Sequence, residues 1–289
     1  MIRRRMTTVQ FSGLVAAALA LASAASHAQT SDFNIAGQLV SDYSLNANTG
    51  IPIKYSQVAA GGLGGSGAVN ILGAQDADHT TAAYQVRSFG LSAPGQSVTL
   101  SEFVLRQDAS LTSTPFLSLG VLSDVTERID AGTASNSYAS IRLNPGTSPS
   151  DSTNLATRVF LQTETKVNGG GRIRTTPGIT GDLLAGNWYR VSATFAYSSA
   201  ADLLVSMSLE DWGASGAALV SPVFAFGPTS VALSGLDQVN GDISVWAAFR
   251  GFAEGGSDLY DNVTITPEPA TALLLVVGAL ARRGRARRR

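Results

Sequence analysis

Apolar and polar residues alternate one by one along most of the chain between residues 29 and 266. In Trp188–Tyr197 every odd position is apolar or aromatic, and Leu203–Glu210 repeats the pattern. Side chains of a β-strand point alternately to its two faces, so each of these segments has one apolar and one polar face. No long stretch places apolar residues at the i, i+3, i+4 and i+7 positions of an amphipathic helix. The alternation therefore predicts an all-β protein.

Turn residues separate the alternating segments. Asn168, followed by three glycines, lies between Arg158–Val167 and Arg172–Thr175, which predicts a hairpin. Segments at this spacing predict two antiparallel sheets packed face to face, an antiparallel two-sheet sandwich of the jelly-roll type. We expect the last strand to cover Leu259–Thr266, and the glycine-rich stretch Ala59–Gly67 to form a flexible loop.

The composition excludes several kinds of chemistry. The chain has no cysteine, and His27 and His79 are its only histidines. Disulfides, thiolate metal sites and cysteine nucleophiles are therefore excluded. Residues 29–266 hold 11 basic and 20 acidic groups, a net charge of −9. This acidic balance argues against a nucleic-acid partner, because such binding depends on cationic contacts to phosphate.

The N-terminus has the three zones of a secretory signal peptide. Arg3–Arg5 form the positive zone, Leu14–Ala25 form the apolar zone, and Ser26 and Ala28 supply the small residues that signal peptidase recognises. We expect a signal helix that is removed by cleavage between Ala28 and Gln29. An uncleaved membrane anchor is the alternative.

The C-terminus has a second three-zone segment. It begins with Pro267, Glu268 and Pro269, continues with the uncharged run Ala270–Ala281 and ends in six arginines among residues 282–289. Proline stiffens the backbone, so we expect the junction to stay out of helix and sheet. The arginines hold the far end of the run on the cytoplasmic side of a membrane. The run has 12 residues, fewer than the roughly 20 that span a bilayer as a helix.

This tail resembles the PEP-CTERM sorting signal of bacteria, with Pro267, Glu268 and Pro269 as the motif residues. The resemblance covers residues 267–289 only. It implies recognition by an exosortase, a membrane transpeptidase-like cysteine enzyme, and delivery to the cell surface or the extracellular polymer matrix. Without that enzyme, the same residues would form a basic tail that touches the membrane.

The body of the chain resembles, more loosely, a concanavalin A-like jelly roll of the lectin and laminin-G type. The residues that carry this likeness are Asn187–Val191, the next strand Leu203–Glu210 and the closing segment Tyr260–Ile265. The resemblance implies that the last strand lies beside the first, near Phe33–Leu39. A fold of this kind does not specify an activity.

Glycoside hydrolysis is the enzymatic activity to test first, because jelly rolls of this kind include glucanases. It needs two carboxylates about 5–10 Å apart on one face. The family pattern Glu-x-Asp-x-x-Glu is absent, and Glu210 and Asp211 are adjacent. Adjacent strand residues point to opposite faces, and we expect both carboxylates at the start of a loop. The sequence therefore favours a protein without catalysis.

Two acidic sets are candidates for calcium binding. Asp76 and Asp78 place oxygen donors at i and i+2, next to His79. Asp258 with Asp261 and Asn262 forms the second set. Acidic loop residues without a metal are the alternative. No other cofactor is expected.

Trp188 and Trp246 are candidates for glycan contact. Each lies opposite to the apolar side of its strand, and exposed aromatic rings can cover the apolar faces of sugars. A core position in a two-faced sandwich is the alternative. Arg87, Arg142 and Arg250 lie on polar faces, where we expect them to be exposed and to favour solubility.

The terminal segments divide the chain into a signal peptide (1–28), a β-sandwich domain (29–266) and a sorting or anchor segment (267–289), which we expect to form a short apolar helix. We expect an exported protein of the cell envelope or extracellular matrix. Its partners would be signal peptidase and an exosortase during processing, a membrane at the C-terminal segment, and an extracellular polysaccharide. A secreted carbohydrate-active enzyme on the same scaffold and a purely structural matrix protein are the alternatives.

Overall fold

The structure, a computed structural model, describes residues 28–47, 53, 55–72, 80–91, 93–106, 117–129, 137–146, 158–166, 171–199, 202–232, 238–239, 242–251 and 257–268. The predicted signal helix and C-terminal apolar helix lie outside these ranges. Within them, no helix has the length and apolar character that crossing a bilayer requires.

Strands make up nearly all of the described chain. They are β1 (Gln29–Ser31), β2 (Tyr43–Asn46), β3 (Tyr55–Val58), β4 (Ala68–Leu72), β5 (Thr81–Tyr84), β6 (Phe89–Gly90), β7 (Ser97–Leu105), β8 (Leu117–Leu122), β9 (Tyr138–Pro145), β10 (Arg158–Lys166), β11 (Arg172–Thr175), β12 (Thr180–Asp182), β13 (Trp188–Tyr197), β14 (Asp202–Asp211), β15 (Ser221–Ala232), β16 (Gln238–Val239), β17 (Asp242–Gly251) and β18 (Ser257–Glu268). A short α-helix, α1, covers Gln38–Asp42, and a 3₁₀ turn covers Leu63–Gly65.

The strands form two antiparallel sheets. The eight-stranded sheet has the order β15-β14-β13-β7-β18-β4-β3, with β1 beside β18. The ten-stranded sheet has the order β11-β10-β9-β8-β17-β5-β2, with β12 beside β10 and both β6 and β16 beside β17. The predicted all-β sandwich is confirmed. The predicted hairpin is confirmed as well, because β10 pairs with β11 and Lys166 lies opposite Arg172.

The inner faces of the two sheets form one continuous core. Val191 and Phe195 of β13 and Val205 of β14 are fully buried, in one cluster with Leu119 and Phe249 of the ten-stranded sheet. These are the inward-pointing residues that the alternation predicts. Each fully buried large apolar side chain contributes about 1.5–3 kcal/mol. In a chain without disulfides, this burial is the main stabilising contribution.

The first and last strands lie side by side, as the jelly-roll resemblance implies. The first strand is Gln29–Ser31, however, and not a segment near Phe33–Leu39. Gln29 lies opposite Ile265. Phe33 has a positive φ of 53°, which turns the chain out of the sheet directly after β1.

The last strand is longer than predicted. Pro267 lies opposite Val98, and Glu268 lies opposite Ser97. The expectation that the junction stays out of the sheet is therefore wrong for these two residues. Proline has no backbone N–H, so it fits a strand position where no neighbouring strand would accept a hydrogen bond from that group. Among the described residues, β1 reaches only as far as the position opposite Ile265, so β18 has a neighbour on one side alone at Pro267.

The glycine-rich stretch predicted to be flexible is bound to β18. The Asp261 carboxylate accepts hydrogen bonds from the backbone N–H of Leu63 at 2.8 Å and the hydroxyl of Ser66 at 2.5 Å. A Cβ at Gly62 would lie 2.2 Å from the carbonyl oxygen of Gly67, so the loop can close this tightly only with glycine there. Asp261 therefore organises the loop, and calcium binding by Asp258 and Asp261 remains a prediction.

Candidate binding face on the ten-stranded sheet

The outward-pointing residues of β8, β9, β10, β11 and β17 form a polar surface, which we name the outer face. The cross-strand register arranges them in three rows. The first row is Arg250, Ser118, Arg142 and Gln162; the second is Ala248, Gly120, Ser140, Glu164 and Arg174; the third is Trp246, Leu122, Tyr138, Lys166 and Arg172.

Glu164 lies at the centre of the outer face and is completely buried. Its carboxylate accepts hydrogen bonds from the hydroxyl of Tyr138 and from the guanidinium groups of Arg142 and Arg174. The Arg142 side chain is buried as well, whereas that of Arg174 is 42% exposed. A buried ion is tolerated only where partners replace its lost hydration. Here three donors do so, and the two arginines leave the cluster with a net positive charge.

Arg142 and Arg250 point to the polar face, but the prediction that they are exposed is wrong. Both are buried, and Nη1 of Arg250 donates to the carbonyl oxygen of Ile129 at 3.2 Å. Ile129 belongs to the connection between β8 and β9, and it packs with Leu122, Tyr138 and Ala248 on the outer face. Arg87 is half-buried, with its guanidinium 5.1 Å from the centre of the Phe89 ring.

The described residues of this connection, 123–129, are held in place by close packing and by a hydrogen bond to a side-chain hydroxyl. The N–H of Ile129 donates to Oγ1 of Thr81 at 3.1 Å. A Cβ at Gly120 would lie 2.8 Å from the carbonyl oxygen of Ala139 and 3.1 Å from Cδ1 of Ile129. Only glycine at this position lets the connection pack so closely on the sheet.

Glu127 fixes the start of the connection. Its carboxylate accepts hydrogen bonds from the backbone N–H groups of Ser123, Asp124 and Ser137 at 3.1–3.2 Å. Burial raises the pKa of Glu127, and these donors oppose the shift. Glu127 thus has a structural role in covering part of the outer face.

Positive charge is concentrated on this face. Six of the 11 basic residues between positions 29 and 266 lie on it or in the connection above it, namely Arg128, Arg142, Lys166, Arg172, Arg174 and Arg250. The acidic groups described there are Asp124, Glu127 and Glu164. Loss of hydration lowers the pKa of Lys166, and the neighbouring cation of Arg172 lowers it further. The outer face is therefore basic on a body whose net charge is negative.

The accessible part of the outer face is β11, where all four residues are exposed. Arg172 and Arg174 point to the same side and are about 7 Å apart along the strand. Lys166 lies directly opposite Arg172. A ligand that lies along β11 therefore meets two accessible guanidinium groups, with a buried ammonium group behind them.

Trp246 lies at the side of this face. It is half-buried and packs with Leu122, Ile129, Tyr138 and Ala248, outside the main core. Its side chain points away from the core, as the alternation along β17 predicts. Its role in glycan contact remains a prediction.

Trp188 lies on the opposite side of the molecule, on the outer surface of the eight-stranded sheet. It packs with Ala68 and Leu259 and is only 4% exposed. The ring is therefore covered by the protein itself and offers no surface to a sugar. Gly216 permits this cover, because a Cβ there would lie 3.1 Å from the Trp188 ring.

Glu210 and Asp211 belong to β14, so the expectation that they begin a loop is wrong. Asp211 accepts hydrogen bonds from the side-chain amide of Asn187 at 3.1 Å and from the N–H of Gly213 at 2.7 Å. Glu210 accepts one from Nε1 of Trp212 at 3.0 Å. The two carboxylates thus stabilise the end of the strand.

The other predicted sites are only partly covered by the described residues. Asp76 and Asp78, the candidate calcium ligands, lie outside them, as does Pro269. Across the part of the chain that the structure describes, no group of three or more acidic or histidine side chains could hold a metal ion. Gln29, the expected first residue after signal cleavage, is the first residue of β1.

Comparisons with known proteins show similarities of fold. No family model and no curated protein matches the chain. Peanut lectin is 10% identical with a TM-score of 0.47, and the match covers 84% of this chain and 98% of the lectin. A protein of unknown function from Shewanella oneidensis is 12% identical with a TM-score of 0.48, covering 93% and 98%. An alginate lyase is 11% identical with a TM-score of 0.46, covering 82% and 96%.

Sequence reasoning missed the cluster around Glu164. A signal was present, because Gln162, Glu164 and Lys166 occupy alternate positions of one strand and so share its polar face. Their partners on β9 and β11 depend on strand register, which only the folded chain provides.

Proposed function

We propose that the chain is an exported surface or matrix protein that binds an acidic polysaccharide through the outer face, without catalysing a reaction on it. The observation that carries the proposal is the concentration of six basic residues on one face of a body with a net charge of −9. A charge distribution of this kind orients an anionic polymer toward one surface and away from the rest of the molecule.

The chemistry of β11 favours carboxylate groups on the polymer. Guanidinium groups form bidentate hydrogen bonds with planar carboxylates, and Arg172 and Arg174 present two of them side by side on an exposed strand. The terminal segments support an extracellular location, where polysaccharides are the abundant acidic polymers. The Glu164 carboxylate is held by three donors, which suits a structural ion better than a catalytic base.

Replacing Arg172 with serine is expected to weaken binding to polygalacturonate, a carboxylated polysaccharide, by about tenfold, the loss of roughly one charge-assisted hydrogen bond. Binding should also weaken with added salt. The measurement is isothermal titration calorimetry on the full mature chain. Arg190→Ser is the control, because it removes an arginine that is also accessible, with a side chain 42% exposed, but that lies on the other sheet.

Three outcomes would contradict this proposal. Saturable binding to neutral dextran of equal strength would exclude charge as the basis. An absence of saturable binding to any polysaccharide would favour the purely structural alternative. Release of new chain ends from the polymer would favour the carbohydrate-active enzyme.

Deleting residues 270–289 is expected to abolish retention in the envelope while leaving cleavage before Gln29 unchanged. This deletion keeps β18 intact, since the strand ends at Glu268. Cell fractionation and mass spectrometry of both termini provide the measurement. Glu268→Ala, with the tail retained, separates the two interpretations of the segment. Loss of C-terminal processing in this variant supports a sorting enzyme, whereas wild-type processing and location indicate a tail that only touches the membrane.

A further inference from the structure

The two ends of the eight-stranded sheet differ in how they are covered. At one end, the segment before α1 lies along β3, where the side chain of Gln57 donates to the carbonyl oxygens of Phe33 and Ile35 at 2.7 Å. At the other end, β15 pairs with β14 and with no further strand among those described. The second edge of β15 is open, and its exposed residues are Ser221, Pro222, Ala225, Gly227, Pro228 and Ser230.

The composition of β15 favours the addition of a further strand. The strand is 12 residues long and contains no charged residue. Its β-branched and aromatic residues, which have a high strand propensity, are Val223, Phe224, Phe226, Thr229 and Val231. An open edge of this kind is a template for another chain, and uncharged segments of about six or seven residues suffice for self-association.

A bulge interrupts β15 near its middle. Gly227 and Pro228 together face the single residue Ser206 of β14, because the register shifts between Val205 and Met207. Gly227 has a positive φ of 94°, and a Cβ there would lie 2.5 Å from the carbonyl oxygen of Val205. Only glycine fits this conformation and this contact, so the sequence fixes the position of the bulge.

A second irregularity lies near the start of the strand. The register shifts again between Leu209 and Glu210, which leaves Val223 opposite no residue of β14. The regular runs that remain in β15 are 224–226 and 229–232, with three and four residues. Both are shorter than the roughly six or seven residues of a self-associating segment.

A proline accompanies each irregularity. Pro222 lies beside the first-formed shift of the strand and Pro228 lies within the central bulge, and both are exposed. Proline has no N–H to donate, and in sheets it occurs on edge strands at positions that face solvent. A strand that approached β15 would therefore meet missing donors as well as short runs.

Charge has the corresponding effect at β11, an end strand of the ten-stranded sheet. Arg172 and Arg174 alternate along this exposed strand. Pairing of two copies through β11 would bring these like charges together, which is unfavourable. The uncharged strand β15 lacks this protection and has bulges and prolines instead.

We propose that the Gly227–Pro228 bulge and the two prolines of β15 prevent a second copy of this chain from extending the eight-stranded sheet. The excluded partner is a second copy because two antiparallel β15 strands would join identical uncharged edges by a twofold axis. The inference goes beyond the proposed function, since it requires neither export nor a glycan.

Deletion of Pro228 tests the inference, because it removes the extra residue and keeps the register on both sides of the bulge. Gly227 alone would then face Ser206, and residues 224–232 would form one regular run of eight residues once Pro228 is removed. We expect this variant of the full mature chain to associate through β15. Its average mass in sedimentation velocity should reach about twice the wild-type value as concentration rises.

Two controls separate strand pairing from other effects. Ser230→Lys, added to the deletion variant, places a charge on an exposed residue of the new run and should restore the wild-type mass. Pro94→Val removes an exposed proline from the turn between β6 and β7, away from any open edge, and should leave the mass unchanged.

A second variant keeps the test decisive if the deletion prevents folding, which circular dichroism checks. Pro222→Val with Pro228→Val restores both N–H groups, keeps the bulges and should raise the average mass by a smaller factor. A wild-type mass in every folded variant would overturn the inference. Equal association of the wild type and the deletion variant would overturn it, as would association that Ser230→Lys leaves unchanged.

Discussion

Replacing Glu164 with glutamine is expected to lower the free energy of unfolding by about 3–5 kcal/mol. The substitution removes the negative charge that faces Arg142, whose side chain is only 4% exposed, and leaves a buried guanidinium without its counter-ion. Hydration cannot compensate, because Glu164 itself is completely buried. Urea-induced unfolding of the purified mature chain measures the effect.

An exposed ion pair between β10 and β12 provides the control. Nε of Arg158 donates to Oδ1 of Asp182 at 2.8 Å, with side chains that are 44% and 60% exposed. Solvent screens this pair, so Asp182→Asn should change the free energy of unfolding far less than Glu164→Gln does. Equal effects of the two substitutions would show that burial of the Glu164 cluster does not stabilise the sheet.

Replacing Glu102 with leucine is expected to act in the opposite direction and to stabilise the chain by about 1–3 kcal/mol at neutral pH. Glu102 is completely buried on the inward-pointing side of β7, and neither carboxylate oxygen has a hydrogen-bond partner among the described residues. Burial raises the pKa of the nearby phenols of Tyr43 and Tyr55, and a charge on Glu102 would raise both further, so they stay neutral. Glu102 thus lacks the donors that Glu164 has.

The effect should depend on pH. Burial raises the pKa of Glu102 well above its ordinary value of 4.5. The folded chain then holds a proton that the unfolded chain releases as pH rises above that ordinary value, so the wild type loses stability with rising pH until the raised pKa is passed. Glu102→Gln removes this dependence and keeps a polar group. The Gln variant should match the wild type below the ordinary pKa and exceed it at neutral pH; parallel stability curves would contradict the prediction.

Glu102 and Glu164 show how much of a side chain's surroundings the sequence predicts. Both lie in strands with clear alternation. Glu164 occupies a position that alternates with the apolar residues of β10, which correctly places it on the polar face. The alternation in β7 places Glu102 on the apolar face, between Leu100 and Val104, which is unusual for an acidic residue. Whether either carboxylate has partners depends on the neighbouring strands, which alternation does not specify.

The candidate site was predictable in part. The alternation correctly orients Arg142, Arg250 and Trp246 away from the core, but it does not predict burial. The described part of the connection between β8 and β9 packs on the outer face and accepts a hydrogen bond from Arg250, and a loop that packs on a sheet leaves no periodic signal in the sequence. Trp188 is covered for a similar reason, because Leu63 and other residues distant in the chain pack around it.

The local order of residues by itself determined the all-β class, the direction of most side chains and the two apolar ends. These properties follow from the period of two in a strand and from contiguous apolar runs, both of which are local. The tertiary structure alone decided that Gln29 meets Ile265, that Glu164 joins Arg142 and Arg174, and that basic residues from separate strands share one face. Such contacts depend on strand order and register, which bring together residues that are far apart in the chain.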